Sequence, residues 1–287
     1  MFKTIGITTR RVVFHKEIFE QIIKFLLDKN KKVMLSSHAR KNLNGKFKNL
    51  ENIDYNKKFD LLIAYGGDGT TLRAARNINH FSTKILGING GHLGFLTTIG
   101  LENWQDHLNK ILQGKNREVY KKIMRIKHER DGKILLDTKF LNDAVISYKD
   151  VARLIHVKTR VGKRNLCNYS ADGLIIATPT GSTAYNLSAG GPILYPSIEA
   201  VILTPICSHS FTQKPIVLPT NKDIILTFQN NDELVNLTLD GQRSFTVQNQ
   251  DKITISVMKK KLTFLRKQGD FYFKILKKKL HWGETIR

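Results

Sequence analysis

The sequence predicts an α/β N-terminal domain with a parallel sheet, followed by a mainly-β C-terminal domain. In the first 100 residues, short apolar segments alternate with segments of helical periodicity, the pattern of a parallel sheet covered by helices. Beyond them the segments shorten and are separated by turn signals, as in antiparallel β structure. We therefore expect the α/β domain at residues 1–100, the β-rich domain at 101–269, and a tail, 270–287, that docks on the α/β domain.

The elements of the first domain follow from local pattern. Apolar runs predict strands at residues 2–7, 32–35, 60–65 and 84–88. Apolar residues at helical spacing predict helices at residues 18–26 and 71–78. Residues 40–58 are polar and rich in lysine, and they predict a loop or an insertion.

The second domain opens with a helix expected at residues 104–112. Two alternating segments then flank Asp131-Gly132, which is a hairpin signal. The strands expected in this domain lie at residues 123–128, 134–140, 145–147, 155–159, 174–177, 224–228, 234–239, 244–247 and 253–257.

Composition narrows the class of protein. Of the 287 residues, 41% are hydrophobic and 25% are charged, values ordinary for a soluble globular protein. There are two cysteines, Cys167 and Cys207, and in a chain of this length they predict reduced thiols and a cytoplasmic location. No apolar run reaches the length of a membrane span, and the N-terminus lacks a signal-peptide pattern. We expect no membrane partner.

The net charge is large and positive. Lys and Arg number 47 against 24 Asp and Glu, which gives a formal charge of +23. Such a charge attracts nucleic acid, lipid headgroups or phosphorylated small molecules, unless it reflects compositional drift alone. The lysines are scattered, and no basic stripe with interleaved aromatic residues is present. We therefore expect no nucleic-acid partner.

The first segment that carries chemistry is GGDGTTL, residues 66–72, directly after a predicted strand. Glycines here allow positive φ and close approach of a ligand to the backbone. Ligands of open α/β sheets bind beyond the carboxyl ends of strands, and amides that open a helix favour phosphate. Asp68 is the carboxylate in this turn; it either meets a hydroxyl or metal, or caps the following helix.

Three further motifs are weaker by themselves. NGGHLGF, residues 89–95, predicts a second glycine-rich turn at the same edge of the sheet, and its His92 is more typical of a structural histidine than of a base. Asn142-Asp143 offers an amide and a carboxylate that can hold a ribose diol or an adenine edge, although the pair is also a common turn. The third motif, Asp240-Gly241-Gln242, is by default a hairpin turn.

The longest motif is SADGLIIATPTGSTAYNLSAGGPI, residues 170–193. Its small hydroxyl residues and glycines form a surface that a ligand can approach, and Tyr185 can stack on a base or a sugar. The motifs of P-loop proteins, Rossmann dinucleotide sites, protein kinases and zinc sites are absent from the sequence.

Together these motifs resemble the motif series of the NAD kinases, in that family's order and at similar spacing, over roughly residues 60–245. GGDG is only moderately specific, since lipid kinases and phosphofructokinases share it, whereas TPTGSTAY with its flanks is highly specific. The resemblance implies a Rossmann-like or phosphofructokinase-like sheet. It implies transfer of the γ-phosphoryl of ATP, with Mg²⁺ or another divalent cation, to the 2′-hydroxyl of the adenosine ribose of NAD. It also implies a homo-oligomer, with a tetramer expected.

The resemblance assigns roles to residues of this chain. It implies Asp68 as the general base, and we assign no residue as a metal ligand. It implies substrate contacts by Gly67, Gly69, Arg73, Asn142, Asp143, Arg153, Asp172, Thr183, Ala184, Tyr185, Asn186, Ser188 and Gln242, some of them across a subunit interface. The chain departs from one common family variant at Ser170, where an Arg often stands, and this puts one phosphate contact in doubt.

Two other functions stay open at this point. A lipid kinase of the diacylglycerol or sphingosine type would share GGDGT and use the positive charge at anionic membranes. An inactive sensor that binds NAD(P) would keep the nucleotide motifs without turnover, although the intact Asp68 argues against it.

Overall fold

The structure, a computed structural model, describes residues 2–91, 94–148, 154–229, 235–269 and 271–283. The chain forms two compact units. Unit 1 comprises Met1–Tyr120 together with Leu262–Arg287, and unit 2 comprises Lys121–Lys261. The predicted fold class, an α/β domain and a mainly-β domain, is confirmed.

A largely parallel sheet forms the centre of unit 1. Its described strands are β1 (Thr4–Thr9), β2 (Lys32–Leu35), β3 (Glu51–Asn52), β4 (Leu61–Tyr65), β5 (Lys84–Ile88), β6 (Arg117–Lys121) and β18 (Leu262–Arg266). Their order across the sheet is β3-β2-β1-β4-β5-β18-β6. The pairs β1–β2, β1–β4, β4–β5, β2–β3 and β5–β18 are parallel, so their carboxyl ends lie along one edge.

Helices cover this sheet. They are α1 (Lys16–Asp28), α2 (Ser37–Asn42), α3 (Asp68–Asn77), α4 (Trp104–Leu112) and α6 (Tyr272–Leu280). Helix α1 buries its apolar face, including Phe19 and Ile22, against strand residues such as Ile7 and Ile63. The continuous apolar strands predicted from the sequence are therefore the core of this layer, as expected for strands covered on their faces.

The division between the units lies at residue 120, whereas the sequence predicted it at residue 100. Trp104 and Leu108 of α4 pack into the same core as α1, and so does Leu265 of β18. Residues 262–269 thus return to unit 1, because β18 completes the sheet between β5 and β6. Helix α6 also belongs to unit 1, and its Ile275 and Leu276 are buried.

The segment predicted as a loop at residues 40–58 overlaps the end of α2 and contains the short strand β3. Ser36 caps α2, since its side chain accepts a hydrogen bond from the Ala39 amide at 3.2 Å. The lysine-rich composition concealed this structure, because α2 buries little apolar surface of its own.

Unit 2 is built on an antiparallel sheet. Its described strands are β7 (Met124–Arg130), β8 (Lys133–Phe140), β9 (Asp143–Tyr148), β10 (Ile155–Val161), β11 (Arg164–Ala177), β12 (Ala200–Ser208), β13 (Ile216–Pro219), β14 (Ile224–Phe228), β15 (Val235–Leu239), β16 (Arg243–Val247) and β17 (Lys252–Val257). A 3₁₀ turn, Gly181–Thr183, and the short helix α5 (Tyr185–Ser188) follow β11. The predicted hairpin joins β7 to β8, with Asp131 at φ 49° and Gly132 at φ 73°.

The core of unit 2 consists of inward-facing aliphatic residues on these strands, such as Ile146, Ile176 and Leu237. Alternation of buried and partly exposed positions is clear on β14 and β15. Among the helices that the structure describes, none is long and apolar enough to cross a membrane.

A buried charge cluster fixes the turn before β17. Asp251, fully buried, accepts hydrogen bonds from Arg130 Nε at 2.7 Å and Nη2 at 2.9 Å. Its Oδ2 also lies 2.7 Å from His128 Nε2 and from the Gln248 amide. Burial opposes ionisation of the carboxyl, but these hydrogen bonds outweigh it, and the pKa of Asp251 is lowered.

We predict that Asp251→Ala lowers the free energy of unfolding of unit 2 by about 3 kcal/mol at pH 7, because it leaves Arg130 and His128 without their shared acceptor. Because folding lowers the pKa of Asp251, its contribution to stability is complete above about pH 4, which is near the pKa of an unfolded aspartate. The contribution is lost as the pH falls further. Urea denaturation followed by circular dichroism measures both effects. Asp223→Asn, at an exposed aspartate of the same unit, is the control. Equal stability of parent and Asp251→Ala at pH 7 would contradict the account.

Candidate functional site

The glycine turn of GGDGT joins β4 to α3. Gly66 has φ 150°, and a Cβ there would lie 2.5 Å from Thr70 Oγ1, so the position requires glycine. Gly67 is the N-cap of α3, with its carbonyl accepting from the amides of Thr70 and Thr71. Asp68 is the first residue of α3, where a negative charge is favoured by the helix dipole. Gly69 follows it on the exposed side.

The carboxylate of Asp68 is held by the second glycine-rich segment. Among the described residues, three backbone amides donate to it: Phe95 to Oδ2 at 2.7 Å, Leu96 to Oδ1 at 2.9 Å and Thr97 to Oδ1 at 3.2 Å. A carboxylate offers about four lone-pair directions. These amides use three of them, which leaves one direction of Oδ2 for a further donor such as a hydroxyl.

Gly94 makes this contact possible. A Cβ on Gly94 would lie 1.9 Å from Asp68 Oδ1, closer than any side chain allows. The Gly94 amide donates to Thr97 Oγ1 at 2.7 Å, which fixes the turn from within. The two glycine-rich motifs predicted at one edge of the sheet are thus in direct contact. His92 and Leu93 of this motif lie outside the described residues.

Arg266 holds the opposite side of the same turn. This buried side chain, on β18, donates through Nη1 to the Thr97 carbonyl at 2.7 Å and through Nη2 to the Phe95 carbonyl. The segment 94–97 therefore gives its amides to Asp68 and its carbonyls to Arg266. Sequence reasoning missed Arg266, because the apolar run around it carries no motif and pairs with β5 only in the folded sheet.

A cleft of about 170 Å³ lies beside the glycine turns, lined by Gly66, Gly67, Gly90, Gly91 and the segment after β1. Within that segment the Arg10 guanidinium lies 4.5 Å from the centre of the Phe14 ring. The backbone of the segment is fixed by Asn42, whose side chain donates to the carbonyls of Arg10 and Arg11.

Arg73 points away from Asp68. Five residues along an α-helix correspond to a rotation of about 140°, so the two side chains leave α3 on different faces. Arg73 donates through Nη2 to the Thr9 carbonyl, and burial lowers the pKa of its guanidinium. The structure therefore does not bring Arg73 to the Asp68 carboxylate, and its predicted substrate contact stays a prediction.

In unit 2, three of the predicted motifs meet at one place. The Asp240 carboxylate accepts from the Asn142 amide at 2.7 Å and from the Leu141 amide at 3.0 Å. The Asn142 carbonyl in turn accepts from the Thr178 amide at 2.8 Å. Asn142-Asp143, the start of TPTGSTAY and Asp240-Gly241-Gln242 are thus one cluster. Gly181 packs so closely on this cluster that a Cβ would lie 2.1 Å from the Asn142 carbonyl oxygen.

Asp143 is a buried carboxyl, 4% exposed, at the start of β9. Burial, with a smaller contribution from the negative charge of Asp240, raises its pKa to about 7. A carboxyl of this kind is a feature of functional sites, because it can exist in either protonation state at neutral pH.

The segment after β11 presents polar groups on a fixed turn. Ser182 ties the turn together, since its Oγ donates to the Pro179 carbonyl at 2.8 Å and accepts from the Leu194 amide at 3.0 Å. Thr183 and Ala184 are partly exposed, and Tyr185 is 47% exposed. Ser188, at the end of α5, is exposed.

Asn186 is an internal residue in this structure. It is fully buried, and its Nδ2 donates to the carbonyls of Ser182 and Pro192 while its Oδ1 accepts from Thr204 Oγ1 at 2.6 Å. Its side chain is therefore used in holding the turn, which differs from the substrate contact predicted from the sequence. The alternation of small polar residues around it gave no signal of which ones point inward.

The remaining predicted residues are exposed or lie outside the described chain. Asp172 is exposed on β11, six residues before Thr178, which corresponds to about 20 Å along an extended strand. Gln242 is exposed in the turn after β15. Arg153 lies outside the described residues. Within the described chain, no group of three or more His, Cys, Asp or Glu residues is placed to hold a metal ion.

Comparison with known proteins identifies the family. The ATP-NAD kinase N-terminal domain matches residues 7–116 and the ATP-NAD kinase C-terminal domain matches residues 141–267. The NAD kinase of Geotalea daltonii is 37% identical over 93% of this chain and 94% of its own length. That of Solibacter usitatus is 41% identical over 78% of each chain. The chain therefore belongs to the NAD kinase family, and its class of enzyme is a phosphotransferase.

Solved structures agree with the fold. An NAD kinase from Archaeoglobus fulgidus, solved in complex with ATP, matches with a TM-score of 0.73 at 25% identity over 96% of this chain and 98% of its own. A yeast NADH kinase complexed with NADH matches with a TM-score of 0.88 at 22% identity over 100% of this chain and 89% of its own, a likeness of fold. The family resemblance predicted from the motifs is confirmed.

We predict that Gly94→Ala lowers turnover about hundredfold, because the added methyl group displaces the Asp68 carboxylate from its amides. The measurement is steady-state formation of NADP. Gly100→Ala is the matched control, since a Cβ at Gly100 meets no atom of the described residues within 4 Å. Gly94→Ala with parental turnover and parental thermal stability would contradict this packing.

A second prediction concerns Asp143. Because its folded pKa of about 7 is above that of an unfolded aspartate, the parent loses stability as the pH rises from about 4 to about 7. The Asp143→Asn variant cannot ionise at this position. The difference in free energy of unfolding, variant minus parent, should therefore be more positive at pH 8 than at pH 5 by about 2 kcal/mol. Hydrogen exchange of the β9 and β15 amides measures this difference. A pH-independent difference would contradict the raised pKa.

Proposed function

We propose that the enzyme transfers the γ-phosphoryl group of ATP to the 2′-hydroxyl of the adenosine ribose of NAD, with Asp68 as the residue that receives the hydroxyl proton. The observation that carries the assignment to Asp68 is its geometry. Its carboxylate is fixed by amides of residues 95–97 at the first turn of α3, and within the described residues these hydrogen bonds leave one lone-pair direction of Oδ2 for a hydroxyl. A hydroxyl donor in that direction would be oriented before reaction.

Phosphoryl transfer asks a protein mainly for positioning and for neutralisation of charge. A carboxylate is a weak base at neutral pH, so in this proposal Asp68 orients the hydroxyl and takes the proton late, when a loose transition state has already made the hydroxyl acidic. Gly67 and Gly69 would let phosphate oxygens approach the backbone at the start of α3, where the helix dipole favours negative charge.

The divalent cation would enter together with ATP. The described residues include no group of three His, Cys, Asp or Glu placed as a cage. Mg²⁺ is commonly held by substrate phosphates, one or two carboxylates and water, so such a cage is not required. The cation, when bound, would neutralise phosphate charge; we assign no protein ligand to it.

The unit 2 residues would contact NAD. Asn142 and Asp143 would hold the adenosine, since an amide and a carboxyl that can be protonated present both donors and acceptors. The exposed ring of Tyr185 would stack on the dinucleotide, with Thr183, Ala184, Ser188 and Gln242 around it. In this proposal Asn186 positions the turn and does not touch the ligand.

The position of Asp172 concerns the assembly of several copies of the chain. Within one chain it lies about 20 Å along β11 from Thr178, too far for one nucleoside to touch both. We assign it to a dinucleotide site completed by a second copy, in keeping with the homotetramer that the resemblance implies. The cytoplasmic location predicted from the reduced cysteines belongs to the same proposal.

A lipid kinase is not favoured, because both family models that match are those of ATP-NAD kinase. The inactive sensor is not favoured either, since Asp68 and its supporting amides are intact.

The test is a coupled assay. Purified protein is incubated with ATP, Mg²⁺ and NAD, and an NADP-specific dehydrogenase detects the product. We expect NADP, with the new phosphate at the 2′ position by phosphorus NMR. A folded protein that forms no NADP with several donors and metals, or that phosphorylates diacylglycerol in vesicles instead, would reject the proposal.

We predict that Tyr185→Ala raises the KM for NAD about tenfold and leaves the KM for ATP nearly unchanged, because the ring contributes about 1.4 kcal/mol of contact to the dinucleotide. Initial rates over both substrates measure this. Tyr195→Ala is the control, since Tyr195 is exposed to a similar extent, 43% against 47%. Equal increases in both constants would count against a stacking role.

A further inference from the structure

Helix α6 of unit 1 has a buried apolar side and an exposed basic side. Ile275 and Leu276 are buried. The exposed residues lie on the other side of the helix, where at 3.6 residues per turn they span an arc of about 140°. We call them the basic face: Phe273, Lys274, Lys277 and Lys278.

The positive charge of the basic face is not neutralised by its own helix. Helix α6 contains four lysines and no Asp or Glu, so no acidic partner stands at the i+3 or i+4 positions within it. Among the residues that the structure describes, no carboxylate forms an ion pair with Lys274, Lys277 or Lys278. A cluster of uncompensated charge on an exposed surface attracts anions.

Exposed aromatic rings accompany these lysines. Phe273 is 62% exposed on the basic face itself, Phe271 is 59% exposed just before the helix, and Trp282 is 53% exposed just after it. The Arg117 guanidinium lies 5.3 Å from the centre of the Phe271 ring and adds a further cation. Large apolar side chains that cluster on a surface are typical of an interaction site.

Lysines next to exposed aromatic rings match the headgroup layer of an anionic membrane. The ammonium groups can contact lipid phosphates, while the rings lie at the boundary between headgroups and acyl chains, where tryptophan is enriched. The expectation of no membrane partner rested on the absence of a span and of a signal peptide. A peripheral contact needs neither of them.

Two other occupants fit the basic face less well. A second copy of the same face would bring lysines against lysines, and like charges in contact are unfavourable. Single-stranded RNA binds in a basic groove, whereas the basic face is the convex surface of one helix. A flat anionic surface suits this shape, because lysine side chains are long enough to reach one plane from across the arc.

We infer that the basic face binds the surface of membranes that contain anionic phospholipids. Lys274, Lys277 and Lys278 contact the headgroup phosphates, and Phe273 and Trp282 enter the interface. The contact is independent of the proposed reaction, since none of these residues belongs to the candidate site and binding needs neither ATP nor NAD.

Co-sedimentation of the full chain with vesicles tests the charges. We expect binding to vesicles of phosphatidylcholine with phosphatidylglycerol, and none to phosphatidylcholine alone. Because one lysine near an anionic surface contributes about fivefold, the triple variant Lys274→Gln, Lys277→Gln, Lys278→Gln should bind about hundredfold more weakly. The matched control removes three exposed cations beside the turn at Gly162, and it should weaken binding less than about threefold: Lys163→Gln, Arg164→Gln and Lys222→Gln.

The aromatic residues have separate readouts. The chain has two tryptophans, and Trp104 is buried, so a change of emission on adding vesicles reports on Trp282. We expect a shift to shorter wavelength with anionic vesicles alone. Phe273→Ser keeps the charge and should weaken binding about tenfold. Phe211→Ser, at a ring of unit 2 that is 94% exposed, is the control and should bind as the parent does.

The inference is overturned if the parent binds no anionic vesicles, if the two triple variants bind them equally, or if the tryptophan emission does not shift on binding. It is also overturned if the α6 variant loses affinity for single-stranded RNA but not for vesicles. All substituted positions are exposed, so the variants should fold, and circular dichroism checks this. A protein that binds the vesicles but forms no NADP would reject the proposed function and keep this inference.

Discussion

The contact between the Asp68 carboxylate and the amides of residues 95–97 is the constraint on which the candidate site depends. It joins the turn after β4 to the turn after β5, two neighbouring strands of one parallel sheet. Charge-assisted hydrogen bonds of this kind are stronger than neutral ones, and here they also satisfy amides of an irregular segment. The carboxylate is therefore placed by the fold before any substrate arrives.

Other features of unit 1 serve this contact. Gly94 leaves room for the carboxylate, and Arg266 binds the carbonyls of the segment whose amides Asp68 binds. Because Arg266 comes from β18, the last strand that the structure describes must return to unit 1 before the segment is fully held. Unit 2 contains a similar arrangement, since the Asp240 carboxylate accepts hydrogen bonds from the Leu141 and Asn142 amides and so positions Asn142.

Much of this could be predicted from the sequence. Continuous apolar strands and periodic helices gave the fold class, and the glycine-rich motifs placed Asp68 at a strand end. What could not be predicted depends on contacts distant in sequence: Arg266 lies 169 residues from Thr97. A motif also does not show in which direction each side chain points. Asn186 points inward and Arg73 points away from Asp68, although both lie in segments of substrate-binding composition.

The most direct test of the central claim is Asp68→Asn, with NAD binding measured by calorimetry and turnover measured separately. We predict that NAD binds as in the parent while turnover falls at least about hundredfold. In this variant Asn Oδ1 can still accept hydrogen bonds from the Leu96 and Thr97 amides. Slow hydrogen exchange at these two amides therefore checks that the turn is kept. Near-parental turnover with these amides protected would contradict the account.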